Sequence, residues 1–250
     1  MFSCFTPGAG GVFCSLVIGE ALHFLSFMEA SSIRCLISAG PTREYLDPVR
    51  FLSNPSTGRM GFALAEAAAA RGWAVTLVAG PVALPTPAGV DRIDVETGDE
   101  MQRALEARFD DCHILIMTAA VMDYRPRERL AEKVKKGRLA MSIEMEPTVD
   151  ILATLGACKA QQILVGFAAE THNLEAYARE KLERKNLDWI AANEVGRAGT
   201  GFASPTNRLL LLGCRGQRIE LGEGLKTSLA VRLLNEVSAG RLDASPVSRP

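Results

Sequence analysis

Two glycine turns carry the first chemical signal: Ser38-Ala39-Gly40-Pro41-Thr42-Arg43, and Asn54-Pro55-Ser56-Thr57-Gly58-Arg59-Met60-Gly61 at the opening of a helical segment. Glycine lets a backbone approach a ligand closely, and the N–H groups of a helix start face an anion with the helix dipole behind them. Phosphate binding is therefore the first chemistry to consider. Neither GxGxxG nor GxxxxGK[ST] can be read across the stretch, so the usual dinucleotide and P-loop signatures are absent.

Five further groups of residues could carry chemistry. Thr118-Ala119-Ala120-Val121-Met122-Asp123 places two small residues and an acid after a strand; Asp123 could accept hydrogen bonds from a substrate or hold a hydrated Mg²⁺, and could equally cap a turn. Glu132-Lys133-Val134-Lys135-Lys136-Gly137 reads either as a solvated face or as a clamp for polyphosphate. Gly166 and Phe167 end another strand, where the ring could stack on a base or simply join the core. Lys181 and Lys185 share a helical face amid a salt-laced surface, and Asn193 lies at the end of a strand, able to read a base edge or to close an Asx-turn. His23, His113 and His172 stand in no recognisable nucleophile motif, which argues against covalent acyl-enzyme chemistry.

The elements that must position these groups alternate in the manner of βαβ units. Strands are expected at Arg34 to Ser38, Ala74 to Ala79, Arg92 to Val95, Ile114 to Thr118, Ile163 to Phe167 and Trp189 to Ala192. Helices are expected at Met60 to Arg71, Asp99 to Phe109, Val149 to Cys158 and Leu174 to Arg184. A hairpin over Asn207 to Leu221 and a helix from Leu225 to Ala239 close the pattern. The expected fold is a Rossmann-like, doubly wound, mostly parallel α/β sheet with a C-terminal β-hairpin, and in such sheets ligands collect beyond the carboxyl ends of the strands.

At 250 residues, 48% apolar and 23% charged, the chain can bury one sizeable core. A net charge of -1 gives no global basic field for nucleic acid or an anionic membrane, so any anion site must be local. Six cysteines without CxxC spacing argue against zinc and against a disulfide framework, and fit a reducing cytoplasm. Residues 1–32 make neither a transmembrane span nor a signal peptide; they are expected to be a disordered leader or to precede a true start at Met28, with one domain over 33–240 and a frayed tail over 241–250.

Taken together, the segments resemble phosphopantothenate cysteine ligase, in its stand-alone form without a decarboxylase domain. The landmarks run in order: Ser38 to Arg43, Asp47-Pro48-Val49-Arg50, Ser53-Asn54 to Gly61, Ala119-Ala120-Val121 with Asp123-Tyr124, Glu132 to Lys136, Val165 to Glu170, and Arg184 to Asp188 with Ala192-Asn193. The resemblance implies activation of the carboxylate of 4'-phosphopantothenate by CTP or ATP with Mg²⁺, then attack by cysteine, in a cytoplasmic homodimer that carries no flavin. It implies that Gly40, Ser56, Gly58 and Gly61 cradle phosphates, and that Asn54 holds phosphopantothenate and its acyl intermediate. Ala119, Ala120 and Asp123 would lie where the substrates meet, and Lys133 would neutralise pyrophosphate. Asp150, Ile151, Phe167, Lys181, Lys185 and Asn193 would complete the nucleotide site, while Thr148-Val149 departs from the Asn-Pro of bacterial members. The competing reading is a nicotinamide-dependent oxidoreductase; the missing GxGxxG and the lack of an acidic ribose-binding residue directly after Val78 weigh against it. A noncatalytic nucleotide-binding module would need Asp123 and the lysines to be dispensable.

Overall fold

Ile114, Leu115 and Ile116 are consecutive and all fully buried, which a strand achieves only when both faces of its sheet are covered. The structure, a computed structural model, describes residues 32–137, 142–170, 172–194 and 204–242. The leader expected over 1–32 and the tail over 241–250 thus fall almost wholly outside the described residues. The first half contains β1 (Arg34–Ala39), β2 (Arg43–Tyr45), β3 (Phe51–Ser53), α1 (Arg59–Ala69), β4 (Ala74–Ala79), β5 (Val90–Asp94), α2 (Gly98–Phe109) and β6 (Ile114–Met117). There follow β7 (Tyr124–Pro126), β8 (Met145–Pro147), α3 (Ile151–Cys158), β9 (Ile163–Glu170), α4 (Leu174–Arg184), β10 (Trp189–Glu194), β11 (Thr206–Gly213), β12 (Arg218–Leu225) and α5 (Lys226–Leu242).

Eight strands form one sheet in the order β12-β11-β10-β9-β6-β1-β4-β5. Pairing is parallel from β10 to β5 and antiparallel for β10–β11 and β11–β12, so the expected hairpin extends the same sheet. Alternation along β1 sorts the two cores: Cys35, Ile37 and Ala39 pack with α1 and α5, whereas Leu36 packs with α2, α3 and α4. The small residues Ala63, Ala65 and Ala68 of α1 are buried in the first of these. A capping box at Thr97, whose side chain accepts from Glu100 N while the Glu100 carboxylate accepts from Thr97 N, fixes the start of α2.

The chain leaves β1 towards β4 and β5, then returns through α2 to β6 on the other side of β1. The crevice between β1 and β6 is therefore the topological switch point of the sheet. Pairing continues beyond both strand ends: Thr118 N donates to Ser38 O (3.1 Å) and Ala120 N to Gly40 O (2.9 Å). Two insertions depart from these ends. One carries the antiparallel ribbon β2–β3, the other β7–β8. Neither ribbon is expected from sequence.

Gly61, in the first turn of α1, shows how tightly the crevice is built. A Cβ there would lie 2.5 Å from Ala39 Cβ and from Thr118 Oγ1. Thr118 cannot swing clear without giving up its bond to Ser38 O (2.6 Å). Gly61→Ala is expected to lower stability by about 1–2 kcal/mol, because overpacking outweighs the gain in helix propensity. Urea unfolding of the two proteins measures the difference.

Candidate functional site

A cleft of about 390 Å³ opens at the switch point. Its lining includes Asn54, Ser56, Gly58 and Gly61 from the turn before α1 and its first residues, and Ala119, Ala120 and Asp123 from the loop after β6. Asp150 and Ile151 at the start of α3, Phe167 on β9, Lys181 and Lys185 on and just after α4, and Asn193 on β10 complete the residues singled out from sequence. Segments up to about 140 residues apart in the chain thus converge on one crevice.

Gly58 adopts φ +73°, a left-handed conformation that suits glycine, and serves as the N-cap of α1 without a side-chain cap. Ser56 Oγ accepts from Gly58 N at 3.4 Å. Asn54 donates both amide hydrogens, to the carbonyls of Ala120 and Val121, each at 3.1 Å. What this side chain can offer a ligand is therefore Oδ1. Asn193 Nδ2 donates to Asn207 Oδ1 at 3.1 Å, and both residues are buried.

Four cations line the cleft: Arg59, Lys181, Lys185 and Lys226. Lys181 Nζ pairs with Glu170 at 2.6 Å and Lys185 Nζ with Asp150 at 2.8 Å. Asp150 also caps α3, accepting from Ala153 N at 3.1 Å. Burial pushes its carboxyl up, but the hydrogen bonds from Lys185 and Ala153 and the charges of Lys185 and Arg184 outweigh it and hold the group below the ordinary aspartate range. Lys226 is buried at the start of α5; burial, with the nearby Arg59 charge, pulls its ammonium down. A cleft with four cations and lined by Asp123 and Asp150 favours a polyanion.

Two expected site residues stand elsewhere. Gly40 is buried behind the turn, its N about 3.4 Å from a Cβ built on Gly58, so it supports the cradle rather than lining it. Lys133 is exposed and outside the cleft lining; the backbone of its neighbour Val134 is tied to Asp47 and Arg50. Phe167 packs on the first core cluster and also lines the cleft. Ile151 lines the cleft but is 3% exposed and belongs to the second core cluster. Sequence reading missed Arg59, Asn207 and Lys226. Arg59 sits in the quoted glycine turn beside the helix start, which was its signal; the other two lie on a hairpin and a helix start that looked purely structural.

Other candidate chemistries find no support here. Among the described residues no group of three or more His, Cys, Asp or Glu side chains could hold a metal ion, so Asp123 has no partners for an all-protein site. Cys35 and Cys112 are buried, and burial pushes both thiols up, Cys112 to about 12, away from nucleophilic use. His113 Nδ1 accepts from Arg34 N at 3.0 Å, a structural task. Among the described residues no helix is long and apolar enough to cross a membrane.

Residues 30–240 match the family described as DNA/pantothenate metabolism flavoprotein, C-terminal domain. The chain belongs to that family. The bifunctional coenzyme A biosynthesis protein CoaBC of Vibrio cholerae is 54% identical over 187 residues, covering 74% of this chain and 47% of that protein. Its counterpart in Escherichia coli is 44% identical over 241 residues, covering 94% and 59%. The chain spans about half the length of these flavoprotein C-terminal-domain relatives. A crystal structure of the C-terminal domain of CoaBC superposes with a TM-score of 0.73 at 41% identity, covering 84% of this chain and 96% of that one. A structure of Cab2 H337A with phosphopantothenate-cysteine shares the fold, with a TM-score of 0.70 at 18% identity.

The lowered pKa of Asp150 gives a pH test of the site. Its ionised form stabilises the fold above the unfolded pKa, and that contribution is lost as pH falls through the lower folded value. Asp150→Ala is expected to cost about 1 kcal/mol at neutral pH through the lost cap, and the gap to wild type should narrow below the ordinary aspartate range. Thermal unfolding from pH 7 to pH 3 follows it.

Proposed function

We propose that the chain is a ligase of coenzyme A biosynthesis that joins 4'-phosphopantothenate to L-cysteine through an acyl-nucleotide. One observation carries the reading: glycine turn, Asp123 loop, Phe167 strand end, lysine pair and Asn193, read separately in the sequence, meet in a single cationic cleft, in a chain of the family that includes the C-terminal half of CoaBC.

The chemistry runs in two steps. A carboxylate oxygen of phosphopantothenate attacks the α-phosphorus of CTP or ATP, the bond to the bridging oxygen breaks, and pyrophosphate leaves. The cysteine amine then attacks the acyl carbon, the acyl–oxygen bond breaks, the nucleoside monophosphate departs and the amine loses a proton. A free carboxylate is a poor acylating agent; the mixed anhydride supplies the leaving group. Neither step needs a protein nucleophile, in keeping with a cleft of amides, lysines and backbone N–H groups.

Gly58, Gly61 and Ser56 present the α1 start to phosphate, with Gly40 behind them. Lys181 and Lys185 neutralise phosphate, held ready by partly exposed acids whose release costs little. Phe167 faces the base, and Asn193 with Asn207 reads base or ribose. Asn54 Oδ1 orients the acyl group against Ala119 and Ala120, and Lys133 acts on the developing pyrophosphate. Of the two cleft carboxylates Asp150 is paired with Lys185, and a single carboxylate such as Asp123 suits Mg²⁺ carried in on phosphate, which keeps most ligands as water and phosphate oxygen. Bound so, Mg²⁺ would offset triphosphate charge. We favour CTP, a cytoplasmic setting and no flavin.

A homodimer completes the reading, with its interface on the two ribbons rather than the terminal hairpin. Val49, Phe51, Leu52, Tyr124 and Ile143 are 37–55% exposed on or beside β2–β3 and β7–β8, whereas the edge strand β12 bears Arg218, Glu220 and Glu223 in the manner of a guarded edge. A second copy burying these ribbons would cover the apolar surface. Phe51→Asp is expected to shift sedimentation from dimer to monomer; an unchanged dimer removes the ribbons from the interface.

Incubation with phosphopantothenate, cysteine, Mg²⁺ and CTP or ATP should yield pyrophosphate and the cysteine adduct. No cysteine-dependent product with either nucleotide would sink the reading. Asn54→Asp is expected to slow consumption of the acyl-nucleotide, and Lys133→Gln to slow its formation, each by about tenfold or more. Wild-type rates in both would remove these roles.

A further inference from the structure

Asp47-Pro48-Val49-Arg50 has no task in the cleft, yet Asp47 is fully buried. Its Oδ1 accepts from Val49 N and Arg50 N, both at 2.8 Å, closing the turn between β2 and β3. Its Oδ2 accepts from Arg50 Nη1 at 3.0 Å and, 87 residues away in sequence, from Val134 N at 3.1 Å. Arg50 Nη2 donates to Val134 O at 2.9 Å. Carboxylate and guanidinium thus grip both backbone groups of one residue, the immediate neighbour of Lys133. Leu130 N donates to Leu46 O at 2.9 Å, a second stitch between the same segments. The same ribbon continues through Ser53 into Asn54, so the lysine loop and the Asn54 turn are held to one body.

We propose that Asp47 is a positioning residue: with Arg50 it clamps Val134 and so sets where the loop delivers Lys133 in the formation of the acyl-nucleotide. The inference rests on the ligase reading for the role of Lys133 and on geometry alone for the clamp. The two oxygens divide the labour, which makes Asp47→Asn selective. The retained oxygen still closes the turn, while the new NH₂ faces the Val134 N–H and the Arg50 guanidinium, donor against donor.

Two measurements test it on the full chain. Trypsin cleavage after Lys135 and Lys136, just beyond the clamp, should quicken about tenfold or more in Asp47→Asn, since loss of hydrogen bonds to charged groups raises the open population. Pyrophosphate release in a single turnover should fall about tenfold in Asp47→Asn and in Lys133→Gln, and no further in the double variant, because residues acting through one group are non-additive. Unchanged cleavage overturns the clamp; additive losses, or a wild-type rate in Lys133→Gln, overturn the positioning role. Should the wild type release no pyrophosphate, the ligase reading and the role of Lys133 fall while cleavage still judges the clamp. Val134→Pro removes the N–H from the loop side, leaves the buried carboxylate intact and should quicken cleavage in the same way, which keeps the test open if Asp47→Asn unfolds.

Discussion

The pairing of β1 with β6 past their strand ends organises everything else. Both faces of this sheet are buried, as the near-zero exposure of Ile37, Leu115 and Ile116 requires, so polar chemistry is displaced to the carboxyl edge. Where the winding reverses, no helix crosses the gap directly, and a crevice opens. Ser38 O holds Thr118 through its N–H and its hydroxyl, and Gly40 O holds Ala120 N. The floor of the cleft is thus continuous with the most rigid part of the sheet, as groups that must be placed to within fractions of an ångström require.

Charge in the cleft is managed locally, in a chain whose net charge is only -1. Lys181 and Lys185 are matched to Glu170 and Asp150, which offsets part of the mutual repulsion of the cleft cations. Lys226, buried beside Arg59, is the member under electrostatic pressure. The nucleotide proposed for the cleft would relieve that pressure and compete for the paired lysines.

The parallel strands and their helices were legible because long apolar or amphipathic runs carry their period plainly. Ala74–Ala79 and Leu174–Arg184 have the bounds the pattern gives, and the sites placed at strand ends do meet. The two ribbons were not legible. Their strands are three residues long, too short for alternation to register, and they form because the insertions pair internally and with each other. Lys133 was read from its charge and its company, but position within a loop is set by tertiary bonds such as those from Asp47 and Arg50. Asn207 and Lys226 were invisible for the opposite reason: each sits in an element whose structural role already accounted for it.

The insertions explain how a rigid sheet can present adaptable parts. Each starts at the end of one of the two strands that flank the crevice, and the ties that lace them include Asn54 to the carbonyls of Ala120 and Val121, Met122 N to Thr42 Oγ1 at 3.0 Å, Leu130 N to Leu46 O, and Asp47 to Val134 N. All but the Asn54 tie join backbone to backbone or backbone to a buried side chain. Asn54 and Met122 both line the cleft while tying one insertion to the other. A displacement of either ribbon would therefore reach the cleft through Asn54 and through the backbone of Met122. Asn54, to which the proposed reaction gives the acyl group, is thus also a point at which ribbon and cleft are mechanically joined.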